Sequence, residues 1–229
     1  VIWGEPGAGK SHLAHEFLTH HLNPDSQTQV FLAQSDEILR QSLNPFRYWL
    51  KQYFGISDGL AESRNKRSFN RKLDALIGET NDKTIADELD RIRSFLGALV
   101  GLHWSDSLYE QVEAKARQEN TFLGLTILLQ AESQRHPVIL LLEDAHWMDK
   151  DSAAFLSNLL PELDHTNKNH YPLAILATAR YEGHGLPLEG FTFQEINLSE
   201  MNRTNLAALA QNYLDAPPSE NLLNLLVER

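Results

Sequence analysis

Residues 4–11 read Gly4-Glu5-Pro6-Gly7-Ala8-Gly9-Lys10-Ser11, the spacing GxxxxGK[ST], and they follow the apolar start Val1-Ile2-Trp3. Few patterns this short constrain a chain so tightly. Glycines at these positions let the backbone curl until successive N–H groups point at one anion. A helix beginning at the end of the loop adds the positive end of its dipole. Lys10 can reach the β- and γ-phosphates of a nucleotide, and the Ser11 hydroxyl can ligate an accompanying magnesium ion. The candidate phosphate-binding residues are therefore Gly4, Glu5, Pro6, Gly7, Ala8, Gly9, Lys10, Ser11 and His12. Such a loop also requires a strand before it and a helix after it.

The helix is legible. Leu13, Ala14, Phe17, Leu18 and Leu22 fall on one face at helical spacing, and His12, His15, Glu16, Thr19 and His20 fall on the other. His12-x-x-His15 lacks a third metal ligand and matches no zinc-helix order, so it reads as part of a solvated face. Thr28 to Ala33 then has the character of a short strand. Helical patterns follow from Pro45 to Phe54, Arg64 to Gly78, Lys83 to Leu102 and Ser107 to Arg135. In the third of these, Ile85, Leu89, Ile92, Phe95 and Leu96 share a face.

Pro137 introduces Val138-Ile139-Leu140-Leu141-Leu142, a fully apolar run of strand length. A central parallel strand covered on both faces has this composition. Residues 151–163 return to helix, Leu173 to Thr178 is a second buried strand, and Phe191 to Leu198 alternates weakly as a third. Residues 203–214 read as an amphipathic helix, and Pro217-Pro218 breaks the chain before a final helix start. Strands alternating with helices predict an α/β fold, a doubly wound parallel sheet with a helical insertion at about 37–136 after the second strand. Residues 1–216 are expected to form one domain and 217–229 the start of a truncated helical one. The chain starts on Val1 inside a strand pattern and ends at Arg229 inside a helical one, so it reads as part of a longer polypeptide.

The apolar run ends on Glu143-Asp144. Paired carboxylates at the C-terminal end of a central strand lie where α/β sheets bind ligands. With a phosphate loop in the same chain, one acid holds magnesium and the other orients or deprotonates the attacking water. Glu143 and Ser11 are the candidate metal ligands, and Asp144, Glu143 and Arg180 the candidate catalytic residues. Arg180 closes Ala177-Thr178-Ala179-Arg180 at the end of the next strand, where Thr178 and Arg180 are expected to face the γ-phosphate.

A formal net charge of −11 argues against direct nucleic-acid binding by this segment, because phosphate backbones reward basic surfaces. The local exception is Arg64, Lys66, Arg67, Arg71 and Lys72, read as the solvated face of a helix. No apolar run approaches the ~18 residues of a membrane span. With no cysteine, disulfides and thiolate metal sites are impossible, and a cytoplasmic setting fits.

Together these elements resemble the AAA-type ATPase domain of STAND P-loop NTPase regulators, as found in multidomain class III adenylate cyclases and large LuxR-type transcription factors. The resemblance is carried by GEPGAGKSHLA at the start, by Asn44-Pro45-Phe46-Arg47-Tyr48-Trp49, and by PVILLLEDAHWMD ending at Asp149. Residues 173–182 and 196–207 continue it in order. It implies an ASCE/AAA-like fold, ATP and Mg2+ as ligands, and a slowly hydrolysing switch whose partners are other domains of the same polypeptide, with nucleotide-dependent self-association left open. By position it makes Glu143 the magnesium-side acid, Asp144 the second acid and Arg180 a sensor. Many AAA-type relatives carry aspartate then glutamate at the acid pair, whereas here the order is glutamate then aspartate. His146, Trp147 and Asp149 belong to the family signature, with packing or helix capping as open as catalysis. An ATP-driven oligomeric remodelling ATPase and a non-hydrolysing scaffold stand as alternatives.

Overall fold

The computed structural model describes residues 1–22, 27–38, 41–163, 171–181, 186, 192–198, 203–214 and 216–227. Its centre is a five-stranded, all-parallel sheet made of β1 (Ile2–Gly4), β2 (Gln29–Gln34), β3 (Val138–Glu143), β4 (Leu173–Ala179) and β5 (Ile196–Leu198). The strand order is β2-β3-β4-β1-β5. β4 therefore lies between the strand that feeds the glycine-rich loop and the strand that ends in the acid pair. That extra central strand is the arrangement the α/β reading with an ASCE/AAA-like fold requires.

Helices cover both faces, because β3 is apolar on both. On one side α1 (Lys10–Glu16) continues as a π-helical turn, Phe17–His21. It buries Ala14 against Ile2 and Leu141, with Leu18, Leu32, Leu176 and Leu198 around them. Leu13 and Phe17, expected on the buried face, are instead 37% and 43% exposed. A helix packed by one narrow stripe over a short strand buries less than a wide apolar face would suggest.

The other side carries the insertion. Between β2 and β3 run α2 (Asn44–Phe54), α3 (Glu62–Glu79), α4 (Lys83–Leu99), α5 (Leu108–Gln111) and α6 (Ala114–Arg135). The single helix expected over Ser107 to Arg135 is divided at Val112 and Glu113, which are extended. Phe46, Trp49 and Leu50 of α2, and Leu125, Leu128 and Leu129 of α6, join Phe31, Leu140, Leu142 and Ala177 of the sheet in one core. The expected stripe Ile85, Leu89, Ile92, Phe95 and Leu96 is buried throughout. The chain continues through α7 (Lys150–Leu159), whose Phe155 and Leu156 enter the same core, then β4, β5, α8 (Arg203–Leu214) and α9 (Glu220–Val227). Among its described side chains α8 buries none fully, so the amphipathic reading of 203–214 has no buried face here. Phe191, Glu182 and Ser199 to Asn202, parts of the strand and family matches above, lie outside the described residues, as does Arg229.

One carboxylate ties the insertion to the acid-bearing turn. Asp149 caps α7, accepting from the N–H groups of Asp151 (3.1 Å) and Ser152 (3.0 Å) and from the Ser152 hydroxyl (2.6 Å). It also accepts from the N–H groups of Leu43 (3.0 Å) and Asn44 (3.1 Å) at the start of α2. Leu43 has φ +58, a left-handed conformation costly for a branched side chain, and the carboxylate holds it there. Asp149→Ala should cost about 2–4 kcal/mol, combining a lost cap with two part-buried donors left unpaired. A urea midpoint barely moved by the substitution would show that these bonds contribute little.

Candidate functional site

At the C-terminal edge of β1 the backbone turns through Gly7 (φ +81) and Gly9 (φ +88), conformations that side-chain-bearing residues rarely adopt. Gly4 is needed for a different reason. A Cβ there would lie 3.1 Å from the Leu198 carbonyl oxygen and 3.2 Å from the Ala8 Cβ. Gly9 is the N-cap of α1 and no side chain caps the helix, so its first N–H groups face outward without intrahelical acceptors. Loop and helix start thus form an anion cradle built from backbone.

Lys10 is folded into this cradle. Its Nζ donates to the carbonyl oxygens of Gly4 and Glu5, both at 2.9 Å, and the residue is only 7% exposed. Burial pushes the ammonium's pKa down. Asp144 opposes that shift more than any other group, Arg180 adds to it, and Glu5 opposes it weakly. Ser11 and His12 are exposed beside it, as are Glu5, Pro6 and Gly7, while Ala8 is partly covered.

The sheet order brings the remaining candidates to the same edge. Glu143 ends β3, opposite Gln34 of β2, and its carbonyl accepts from the Ser35 N–H at 3.0 Å. Asp144 follows with φ +50, and its N–H donates to the Thr178 hydroxyl oxygen at 3.1 Å. Thr178 is fully buried at the end of β4. Its oxygen accepts that bond and so braces the acid turn. Arg180, two residues on, lies over the Trp147 ring at 5.9 Å. Lys10 therefore stands within electrostatic reach of Asp144, which follows β3, and of Arg180, which follows β4.

The sequence reading missed three supports. Trp147 is a platform for Arg180, Thr178 is a brace for Asp144, and Asp149, which caps α7 as the sequence reading allows, also reaches back to α2. His146 is 3% exposed, and neither ring nitrogen has a hydrogen-bond partner. Burial lowers its pKa; Asp144 opposes this, Arg180 and Lys10 reinforce it, and Glu37 opposes it. The basic cluster lies elsewhere, on α3. Arg64, Arg67, Arg71 and Lys72 are exposed there, Lys66 pairs with Glu62 at 2.7 Å, and Lys72 sits 4.0 Å from the centre of the Tyr53 ring.

The residues fit a hydrated divalent ion better than a protein-caged one. Among the described residues no group of three or more His, Asp or Glu could hold a metal alone. Ser11 and Glu143, if they held such an ion, would leave the other positions to phosphate oxygens and water, the usual situation for magnesium. Among the described residues, no helix is long and apolar enough to cross a membrane.

Thr178→Val should destabilise the fold by about 1–3 kcal/mol, because it strips the acceptor from the part-buried Asp144 N–H while nearly keeping volume. Thr178→Ser should recover most of that loss. Equal urea midpoints for the Val and Ser variants would remove the bracing role.

Against known proteins, the profile of one family, described as AAA ATPase domain, matches residues 1–176. No curated protein and no solved structure matches the chain.

Proposed function

This chain belongs to the AAA ATPase domain family, and we propose that it is an ATP-binding switch domain of a larger signalling or transcription-regulatory polypeptide, hydrolysing slowly to reset its conformation. The observation that carries the reading is the position of Lys10. Its ammonium is held on two loop carbonyls, within electrostatic reach of Asp144 and Arg180 from two neighbouring strands. A triphosphate laid along the loop would draw Lys10 off those carbonyls onto the β- and γ-phosphates. Its last phosphate would then stand before the ends of β3 and β4.

In this reading Ser11 and Glu143 hold magnesium, which supplies charge neutralisation on the phosphates when bound. Asp144 accepts a proton from the attacking water, and Thr178 keeps that acid's backbone in place. Arg180 pairs with the γ-phosphate and releases it after cleavage, so its position on Trp147 reports the nucleotide state. Aspartate is one methylene shorter than the glutamate many AAA-type relatives carry as the second acid, which suits slow turnover. Residues 1–216 would form the nucleotide-binding domain with its insertion at about 37–136, and residues 217–229 the start of a helical domain. Domains of the same polypeptide, with nucleotide-dependent self-association, would receive the signal in a cytoplasmic setting.

Lys10→Ala should weaken ATP–Mg binding by about tenfold or more, equivalent to about 1.4 kcal/mol or above. Calorimetric titration giving equal affinities would sink the phosphate-loop reading. Phosphate release should run far below ~1 s⁻¹, the low end of ordinary enzymes, and should vanish in Asp144→Asn. Sustained turnover above that rate would favour an ATP-driven remodelling machine. Binding with no release at all would favour a non-hydrolysing scaffold.

A further inference from the structure

His146 occupies a place that packing alone does not explain. Its ring is 3% exposed, and both nitrogens are buried without a partner. A neutral imidazole carries one donor and one acceptor, and each left unpaired in the interior costs about 1–3 kcal/mol. Buried orphans of this kind are few in folded proteins, and each calls for a reason. An apolar ring of similar shape would fill the space beside Trp147, whose ring centre lies 5.0 Å away, without that cost.

The surroundings supply the reason. The ring follows the acid pair directly, in the tight turn Ala145–Trp147. The charged groups acting on it come from four separate segments: Asp144 after β3, Arg180 after β4, Lys10 at the start of α1, and Glu37 after β2. The loop on β1 takes the inner phosphates of a bound nucleotide, and β3 lies two strands away, beyond β4. On the ATP reading, only the terminal phosphate would then extend toward the end of β3.

Resting on the ATP reading of this site, we propose that His146 is the residue that distinguishes a nucleoside triphosphate from a diphosphate. With the triphosphate bound, the ring, closed to solvent in the empty site, turns outward and its N–H donates to the γ-phosphate or to the water held against it. The diphosphate leaves the ring as it stands in the empty site. His146 is thus a specificity-determining residue beside Arg180, and its orphaned nitrogens are the reserve that the γ-phosphate satisfies.

The test compares wild type, His146→Phe and His146→Gln as full chains. Thermal midpoints are measured without nucleotide, and affinities are measured for ADP–Mg and for a non-hydrolysable ATP analogue with Mg. His146→Phe should melt at the wild-type temperature or above it, since it removes the orphans. Its affinity for the triphosphate analogue should fall about tenfold while that for ADP stays within about twofold. His146→Gln, which keeps a donor, should restore part of the discrimination. If the Phe ring is not accommodated, His146→Leu carries the same comparison. Unchanged affinities for both nucleotides, or an equal fall in both, would overturn the proposal. A wild-type chain that binds neither nucleotide would instead overturn the ATP reading beneath it.

Discussion

Five donors converge on the carboxylate of Asp149: four backbone N–H groups and one hydroxyl, drawn from two segments more than a hundred residues apart. The rest of the site depends on that convergence. The turn from Glu143 to Met148 has one end on β3 and the other on Asp149, so the carboxylate fixes the length and direction of the loop bearing the acids. It also fixes where α2 leaves the sheet, and with it the base of the insertion. A helix cap is ordinarily worth about 1 kcal/mol. Here the same oxygens serve two helix starts at once, and one of them begins at a residue held in a left-handed conformation.

Placing β4 between β1 and β3 decides what can meet. Without it, the loop lysine and the acid pair would sit on adjacent strands with nothing between them. With it, Thr178 braces the acid turn from the side, and Arg180 comes to the same edge over the Trp147 ring. Lys10 and His146 both feel charged groups carried by neighbouring segments of the sheet edge.

The sequence carried the outline of this site but not its supports. Residues 4–11 and the run ending at Glu143-Asp144 were legible because each is local: a loop and strand with their chemistry in consecutive residues. The doubly wound sheet followed from the fully apolar Val138 to Leu142, a composition only a strand buried on both faces needs. What escaped was non-local. Nothing in Ser42-Leu43-Asn44 announces a carboxylate from residue 149, and nothing in Trp147 announces Arg180. Leu13 and Phe17 were misplaced because helical periodicity gives a face but not how much of it a narrow sheet can cover. The orphaned nitrogens of His146 are invisible in a sequence, since burial and missing partners are properties of the fold alone.

The strand pairing has a further consequence, for the order in which the chain can assemble. β1 and β2 are the first two of the described strands in the chain, yet they are not neighbours. β1 lies between β4 and β5, and the β2 ladder pairs Gln29 through Gln34 with Val138 through Glu143. No two of the described strands can join until the chain beyond residue 137 is available, and closing so long a loop costs entropy that only later contacts repay. The insertion, by contrast, packs α4 against α6 over short sequence separations, so it can organise early and hold the two ends of the gap together. During synthesis β2, with its Gln-Val-Phe-Leu-Ala-Gln run, waits as an unpaired edge. That segment is where a nascent chain of this design is most exposed to mispairing.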